Sequence, residues 1–569
     1  MNCELRTINS NPFPMDARQQ RQQKIDRLTN HHFDLVVIGG GITGAGVALD
    51  AASRGLDVAL IERNDFASGT SSKSTKLIHG GLRYLKNLEI GLVREVGQER
   101  AIVHDLAPHL VRPEKMLLPL VEGGSLGKLS TSAALWVYDF LADVEGDDKR
   151  VMLSKEETAE TEPLLRTDIL KGGGFYAEYR TDDARLTIEN VKTAEQHGAT
   201  ALNYVEGTGF LYDDKKQVKG VECHDRYTGE AFTIHCDHVI SSAGPWVDDL
   251  RKIDKSMNNK RLFLSKGVHI VVSRERLPLQ HACYFDVKDG RMLFAIPRLR
   301  CTYIGTTDTP YHGDPNAIPT NLEDVQYLLD GVNHIFPTVK LTVDDVESSW
   351  AGVRPLIFEE GKSAGEMSRK DEIFESESGL LSIAGGKLTG YRKMAERVVD
   401  RLGKQLKHDG QEELKDTTTK KIPLTGGPFK DYAEVLAYEL EIQQQLEAAS
   451  LAPERAAYLV SNYGKQTPLI IARALERPEE TDVARLACAE AAWCIENELA
   501  LYPIDFIERR SGRLYFDMPS IDPVLDDVVN VFAEAYGYSE EQRGAERQRV
   551  LDAIAWVSEF EPGELVVSR

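Results

Sequence analysis

Gly39-Gly-Gly41-Ile-Thr-Gly44 has the G-x-G-x-x-G spacing of a turn that can hold a pyrophosphate. The first glycine makes a tight turn, the second lets the backbone approach the phosphates, and the third lets a helix press onto its strand. Ile42 and Thr43 fall at the start of that helix, where unpaired N–H groups and the helix dipole attract an anion. Glu62, followed by Arg63, ends the next apolar run, where an acid hydrogen-bonds a ribose hydroxyl. An acid at that place selects an unphosphorylated ribose, so the expected cofactor is FAD or NAD rather than NADP.

The next segment separates those two. Ser68-Gly-Thr-Ser-Ser-Lys-Ser-Thr-Lys-Leu-Ile-His-Gly-Gly-Leu-Arg-Tyr84 is long, small and rich in hydroxyls. NAD domains pass quickly to their next helix and strand, whereas flavin domains of the amino-acid-oxidase kind place such a segment under the pyrophosphate and isoalloxazine. Thr70, Ser71, Ser72, Lys76, Leu77, His79, Gly80 and Gly81 are therefore expected to face the cofactor.

Elements must position these residues. Phe33-Asp-Leu-Val-Val-Ile38, then Ala45 to Arg54 at helical spacing, then Val58-Ala-Leu-Ile61 predict strand, turn, helix and strand: a βαβ unit. Thr181-Asp182-Asp183 caps a further helix, with Ala184, Ile188, Val191 and Ala194 on one face and Gly198 at its end. Val239-Ile240-Ser-Ser-Ala-Gly244 and Gly379-Leu-Leu-Ser-Ile-Ala-Gly-Gly386 are two more strands entering glycine turns, the second followed by a helix from about Thr389. Between about Arg261 and Thr307, runs such as Val268-His-Ile-Val-Val272 and Met292-Leu-Phe-Ala-Ile296 read as antiparallel strands. A short polar helix is expected from roughly Met15 to Leu28. After a charged, Thr-rich linker, Asp409 to Lys421, the chain is rich in helix formers and is expected to form a separate helical domain. There Asp522-Pro523 opens a helix with Leu525, Val528, Val529, Phe532 and Tyr536 on one face and Gly537 at its end.

Asn64-Asp-Phe-Ala-Ser-Gly-Thr-Ser-Ser and Lys76-Leu-Ile-His-Gly-Gly-Leu-Arg-Tyr-Leu85 closely resemble the FAD-dependent glycerol-3-phosphate dehydrogenase family. So do Asp182-Asp-Ala-Arg-Leu186, Ala243-Gly-Pro-Trp246, Lys266-Gly-Val-His269, Gly305-Thr-Thr-Asp308, Gly352-Val-Arg-Pro355 and Gly385-Gly-Lys-Leu-Thr389 with Tyr391-Arg392, in the family's order. The helical C-terminus, with Glu508-Arg-Arg510, is similar to that family's cap domain. The likeness covers roughly residues 30 to 560. It implies non-covalent FAD, oxidation of sn-glycerol 3-phosphate to dihydroxyacetone phosphate, and electrons passed to membrane quinone. It adds Ala243, Gly244, Trp246, Gly386, Leu388 and Thr389 to the expected cofactor site.

A phosphate dianion needs fixed cations, and guanidinium groups hold it through two bonds. Arg83 and Arg354 end glycine-containing turns, and the resemblance places both at the substrate. Lys387 follows a Gly-Gly turn at a helix start, a position suited to stabilising negative charge on a reduced flavin. His269, one of 14 histidines, lies in an apolar strand and matches the family's active-site histidine, where a neutral imidazole serves as general base. The lesser alternatives are that His269 is a core histidine with satisfied nitrogens and that another group takes that proton. Tyr84 orients the substrate or is a packed aromatic. His79 reads as structural or cofactor-facing.

The expected fold is α/β: a doubly wound, Rossmann-like FAD domain of amino-acid-oxidase type, a mixed or antiparallel substrate domain, and an all-α C-terminal cap. Residues 1–32 are a tail and short helix. The FAD domain is expected in pieces, about 33–110, 170–265 and 350–408, interleaved with substrate-domain pieces of about 111–169 and 266–349, before the cap at 422–569. At 569 residues, several cores are needed.

A formal charge of −22, from 68 basic and 90 acidic side chains, repels a nucleic-acid backbone and argues against an RNA-modifying flavoprotein. Seven cysteines without C-x-x-C pairs predict neither a disulfide framework nor a metal site. No run approaches 18 apolar residues, so no bilayer span is expected, and the resemblance implies a cytoplasmic protein, peripheral on the inner face of the cell membrane. The apolar residues of Gly124 to Leu141 either touch a bilayer or form a buried helix, the commoner case. A homo-oligomer is compatible with all of this. Glycerol-3-phosphate oxidases share these motifs and use O2, but they carry an added segment between the arginine and lysine blocks. Here Arg354 and Lys387 are 33 positions apart, which favours the dehydrogenase. An amine or amino-acid oxidase on the same fold is the other alternative.

Overall fold

The structure, a computed structural model, describes residues 17–80, 90–124, 150–358, 370–408, 410, 413–479 and 481–563. Its frame is two sheets and a helical region.

The first sheet has a parallel centre, in the order Leu381–Gly385, Ala231–Ser241, His32–Ile38, Val58–Glu62 and Thr200–Asn203. Asp371–Glu375 closes one edge antiparallel, and Val205–Tyr212 with Val218–Asp225 extends the Ala231–Ser241 strand as an antiparallel pair. Parallel strands are buried on both faces, which is why they read as continuous apolar runs. Leu35 and Val37 pack under the helices Ile42–Ser53, Asp183–Gln196 and Tyr391–His408. Val36 and Ile38 pack on the other face with Leu28, Val205, Phe210 and Val221. The polar helix expected near the N-terminus is Ala17–Asn30. Asp182 caps Asp183–Gln196 by accepting from the Arg185 N–H.

The second sheet runs Thr309–Pro310, Leu262–Ser273, Cys301–Gly305, Met292–Arg298, Ala282–Asp286, Arg112–Val121, Leu170–Arg180 and Leu77–Ile78, with Val346–Ile357 also paired to Leu262–Ser273. It is antiparallel except for the pair Ala282–Asp286 and Arg112–Val121. Val268, Ile270 and Val272 face the helix Leu322–Ile335. Val271, Tyr303 and Trp350 face the opposite way and share one apolar core with the C-terminal helices, including Phe516, Phe532 and Val557.

Two expected segment boundaries shift in consequence. Leu170–Arg180 and Val346–Ile357 pair in the second sheet rather than the first, so on both occasions the chain returns to the first sheet later than the expected boundaries at about 170 and 350. The C-terminal helices pack on this sheet: alternation along its strands gives two apolar faces, and the helices cover one of them. Asp522–Val524 forms a short 3-10 turn and the predicted helix follows at Leu525–Tyr536, ended by Gly537 at φ +67°. Among the described residues, no helix is long and apolar enough to cross a membrane. The Gly124–Leu141 stretch lies outside the described residues beyond Gly124.

Candidate active site

A cleft of about 360 Å³ opens where the parallel strands end, bounded by Ile38, Ser242 and Ile383. The carboxyl edge of such a sheet is where doubly wound folds bind ligands.

One end is built for a dinucleotide. Gly39 sits at φ +110°, and a Cβ there would meet Ser242 O at 2.6 Å, so only glycine fits the turn. The helix Ile42–Ser53 starts from extended Gly41, its N-terminus opening on the cleft, and the Ile42 N–H donates to Ser71 Oγ at 2.9 Å. Glu62 accepts from Gly40 N at 2.7 Å and Asn64 N at 2.8 Å. Burial pushes its carboxyl up from the ordinary value, against the pull of those two N–H groups. Arg63 stacks on the Trp246 indole, 4.2 Å from the ring centroid, and both line the cleft. A glycine turn aimed by a helix N-terminus, an acid at the next strand end and a hydroxyl-lined floor together fit FAD.

The other end gathers cations. Lys387, after the Gly385-Gly386 turn, lines the cleft and precedes the short turn Leu388–Gly390 that leads into Tyr391–His408. Thr389 Oγ1 accepts from His79 N at 3.0 Å and donates to His79 O at 3.1 Å, which fixes the hydroxyl-rich segment against the lysine turn. Thr70 Oγ1 donates to Val353 O at 2.7 Å and ties the same segment to the strand bearing Arg354. Register pairs Ser265 with Arg354 and Gly267 with Gly352. The Arg354 guanidinium donates to Thr307 O at 3.2 Å and Thr306 Oγ1 at 3.0 Å, and Asp308 lies 3.5 Å away. It fits because Gly267 has no side chain: a Cβ there would lie 2.6 Å from Arg354 Nη2.

His269 stands behind this end, 1% exposed. Its ring stacks on Trp350, with centroids 4.8 Å apart and planes within 11°, and Trp350 Nε1 donates to Ser74 O at 3.0 Å. His269 Nε2 lies 3.1 Å from Oγ1 of Thr75, itself a cleft-lining residue. Burial above all, then the charges of Arg354 and Lys76, hold its pKa well below the ordinary histidine value, so the ring is neutral at physiological pH.

Of the residues singled out in the sequence, Gly39, Gly41, Ile42, Thr43, Glu62, Arg63, Thr70, Ser71, Leu77, His79, Ala243, Gly244, Trp246, Arg354, Gly386, Lys387, Leu388 and Thr389 line this one cleft. Gly44, Ser72, Lys76, Gly80 and His269 are not among its lining residues. The Lys76 ammonium is buried and taken up by Asp183, at 2.5 Å, and by Ser72 O, at 3.0 Å, so it braces the flavin segment from behind. Gly81, Arg83 and Tyr84 lie outside the described residues. Sequence reasoning passed over Lys73, Thr75 and Thr306. The first two were covered only as members of a hydroxyl-rich segment, and Thr306 only as part of a block, since no spacing rule reports a contact across strands. Burial pulls the Lys73 ammonium below its usual pKa, and nearby Glu508 opposes that shift.

Residues 34–392 match the family model described as FAD dependent oxidoreductase, and residues 417–543 match the C-terminal domain of alpha-glycerophosphate oxidase. The chain is 47% identical over 529 residues to the aerobic glycerol-3-phosphate dehydrogenase of Staphylococcus haemolyticus, across 93% of this chain and 95% of that protein. The structure of the glycerol-3-phosphate dehydrogenase from Bacillus halodurans complexed with FAD superposes with a TM-score of 0.81 at 40% identity, over 97% of this chain and 100% of that one. The FAD-bound L-alpha-glycerophosphate oxidase from Mycoplasma pneumoniae shares the fold, with a TM-score of 0.53 at 19% identity over 65% of this chain and 95% of its own. A dinucleotide turn, a cationic far end and similarity running through the helical region lead to one conclusion: the chain belongs to the aerobic glycerol-3-phosphate dehydrogenase family of FAD-dependent oxidoreductases.

Proposed function

We propose that this chain oxidises sn-glycerol 3-phosphate to dihydroxyacetone phosphate, with hydride leaving C2 for N5 of FAD and the electrons passing to a membrane quinone. Bound FAD supplies the two-electron acceptor that no side chain offers. The chain's own residues do the rest. The N-terminus of Ile42–Ser53 and Ser71 hold the pyrophosphate, and Glu62 takes a ribose hydroxyl. Arg354, joined by Arg83, grips the substrate phosphate, and Tyr84 orients it. Lys387 adds positive charge where reduction makes the ring anionic. As C2 gives up hydride, its hydroxyl loses a proton that passes through the cleft-lining Thr75 hydroxyl to His269, whose Nε2 lies 3.1 Å from Thr75 Oγ1. Peripheral contact at the inner face of the cell membrane brings the reduced enzyme to its quinone.

The observation that carries this reading is a fixed guanidinium, Arg354, at the far end of a cleft that begins in a dinucleotide turn, with the neutral imidazole of His269 directly behind that end and joined to it by the lining Thr75 hydroxyl. The test is steady-state turnover in an oxygen-free buffer with glycerol 3-phosphate and a soluble quinone. Turnover that needs both supports the proposal, and no turnover with either substituted polyol or amino acid sharpens it. Oxygen is the rival acceptor. The short spacing between Arg354 and Lys387 favours the quinone, and stoichiometric hydrogen peroxide in air without quinone would reverse that choice.

A further inference from the structure

Asp65 lies three residues beyond Glu62, is 1% exposed, and takes no part in the cleft lining. Its carboxylate is saturated by side chains from elsewhere in the chain. Arg509 Nε donates to it at 2.6 Å and Arg510 Nη2 at 2.9 Å, with Arg510 Nη1 making a further bond. Asn203 Nδ2 adds another at 2.9 Å. Burial opposes ionisation of Asp65, but Arg510 and then Arg509 outweigh it and hold the carboxyl down at about 2. Both arginines come from the turn Phe506–Arg510 of the C-terminal helical region and are anchored there. Arg510 also donates to Glu498 O at 2.8 Å, and Arg509 to Asp505 at 2.8 Å.

The residues on either side of Asp65 clamp the dinucleotide turn. Gly40 N donates to Glu62, and Gly40 O accepts from Ala67 N at 3.0 Å. The Phe66 ring fills the space beside Gly40, where a Cβ would meet it at 2.5 Å. Ala67 holds φ +63°, a left-handed conformation that a residue with a Cβ keeps only where its surroundings enforce it.

From this geometry we propose that Arg509 and Arg510 are positioning residues for the cofactor. Through Asp65 they hold the loop 62–67 against the glycine turn, so the C-terminal helical region is part of what retains FAD. The region then has a task in the enzyme beyond covering the second sheet. Neither arginine lines the cleft.

The experiment compares FAD dissociation constants of stripped and refilled full-length protein. Asp65→Asn keeps the shape of the side chain, and Arg510→Ala leaves Arg509 to pair Asp65. Arg112→Ala is the control: it removes another link to the C-terminal region, the bond to Glu439, remote from the loop. The proposal expects at least a tenfold rise in the FAD dissociation constant for Asp65→Asn and Arg510→Ala, and less than twofold for Arg112→Ala. It expects the Asp65→Asn/Arg510→Ala double variant to be no weaker than the worse single. Activity should return as FAD is raised, half-maximal at the raised concentration. Wild-type FAD affinity in Asp65→Asn would overturn it, and so would an equal loss in Arg112→Ala, which would mean general loosening. If Arg510→Ala does not fold, the Asp65→Asn value decides alone.

Discussion

The His269 imidazole lies parallel to the Trp350 indole, its plane within 11° of it, on neighbouring strands of the second sheet that bring the two residues opposite each other. Stacking fixes the ring while burial keeps it neutral, so its pKa has left the range where an exposed histidine titrates. His269→Gln is expected to lower kcat by about 10²–10⁴-fold with FAD retained, the usual size of a general-base loss. The wild-type kcat profile should show no inflection from this group near pH 6.5, because it becomes protonated only far below that. A His269→Gln enzyme with wild-type kcat would remove it from the reaction.

Arg354 is held as a fork by Thr306 and Thr307. Arg354→Ala should raise the KM for glycerol 3-phosphate by roughly 10- to 100-fold, the value of one or two charged hydrogen bonds, with FAD still bound. Arg354→Lys should not restore it, since an ammonium cannot make the paired contact. Unchanged kcat/KM in Arg354→Ala would mean that the phosphate is held elsewhere.

Gly267 offers an independent check on the same guanidinium. Gly267→Ala places a methyl 2.6 Å from Arg354 Nη2 and 2.7 Å from Thr306 Oγ1, so the fork must move. The variant should reproduce the KM defect of Arg354→Ala without touching the arginine. Steady-state kinetics with wild-type KM would show that the fork's orientation is not needed.

His109 gives a prediction about acid. It is fully buried, its ring nitrogens have no hydrogen-bond partner among the described residues, and burial first, then Arg112, Arg185 and Lys192, lower its pKa to about 3. The unfolded chain, with a histidine near 6.5, therefore binds more protons than the folded one between about pH 3 and 6.5. Stability should rise with pH across that window and fall as pH drops through it, by up to about 1.4 kcal/mol per unit from this group alone. His109→Leu should flatten the slope of Tm against pH between 4 and 6. An identical slope in the variant would contradict the assignment.

The sequence spoke most clearly where local chemistry is self-contained. Gly39, Gly41 and Glu62 declare the dinucleotide turn because turn, helix and acid lie within one βαβ unit. Lys387 was legible from its Gly-Gly turn. Contacts made across long separations were not. Lys76 reads as cofactor-facing from its neighbours, but its charge is spent on Asp183, a partner 107 positions away. Leu170–Arg180 falls in the piece expected to join the FAD domain from about 170, yet its pairing with Arg112–Val121 puts it in the second sheet, and no local pattern encodes that pairing. Arg509 and Arg510 stand in the sequence only as part of the cap-domain block Glu508-Arg-Arg510, because their partner Asp65 lies 444 and 445 positions away.

The most direct test of the central claim needs no acceptor at all. The yellow protein, freed of oxygen, is mixed with glycerol 3-phosphate and its absorbance near the flavin maximum is followed. The account predicts bleaching, one dihydroxyacetone phosphate formed per FAD, and none with glycerol or glycine in place of the phosphate ester. A flavin that stays oxidised with glycerol 3-phosphate, or bleaches equally with unphosphorylated glycerol, would contradict it.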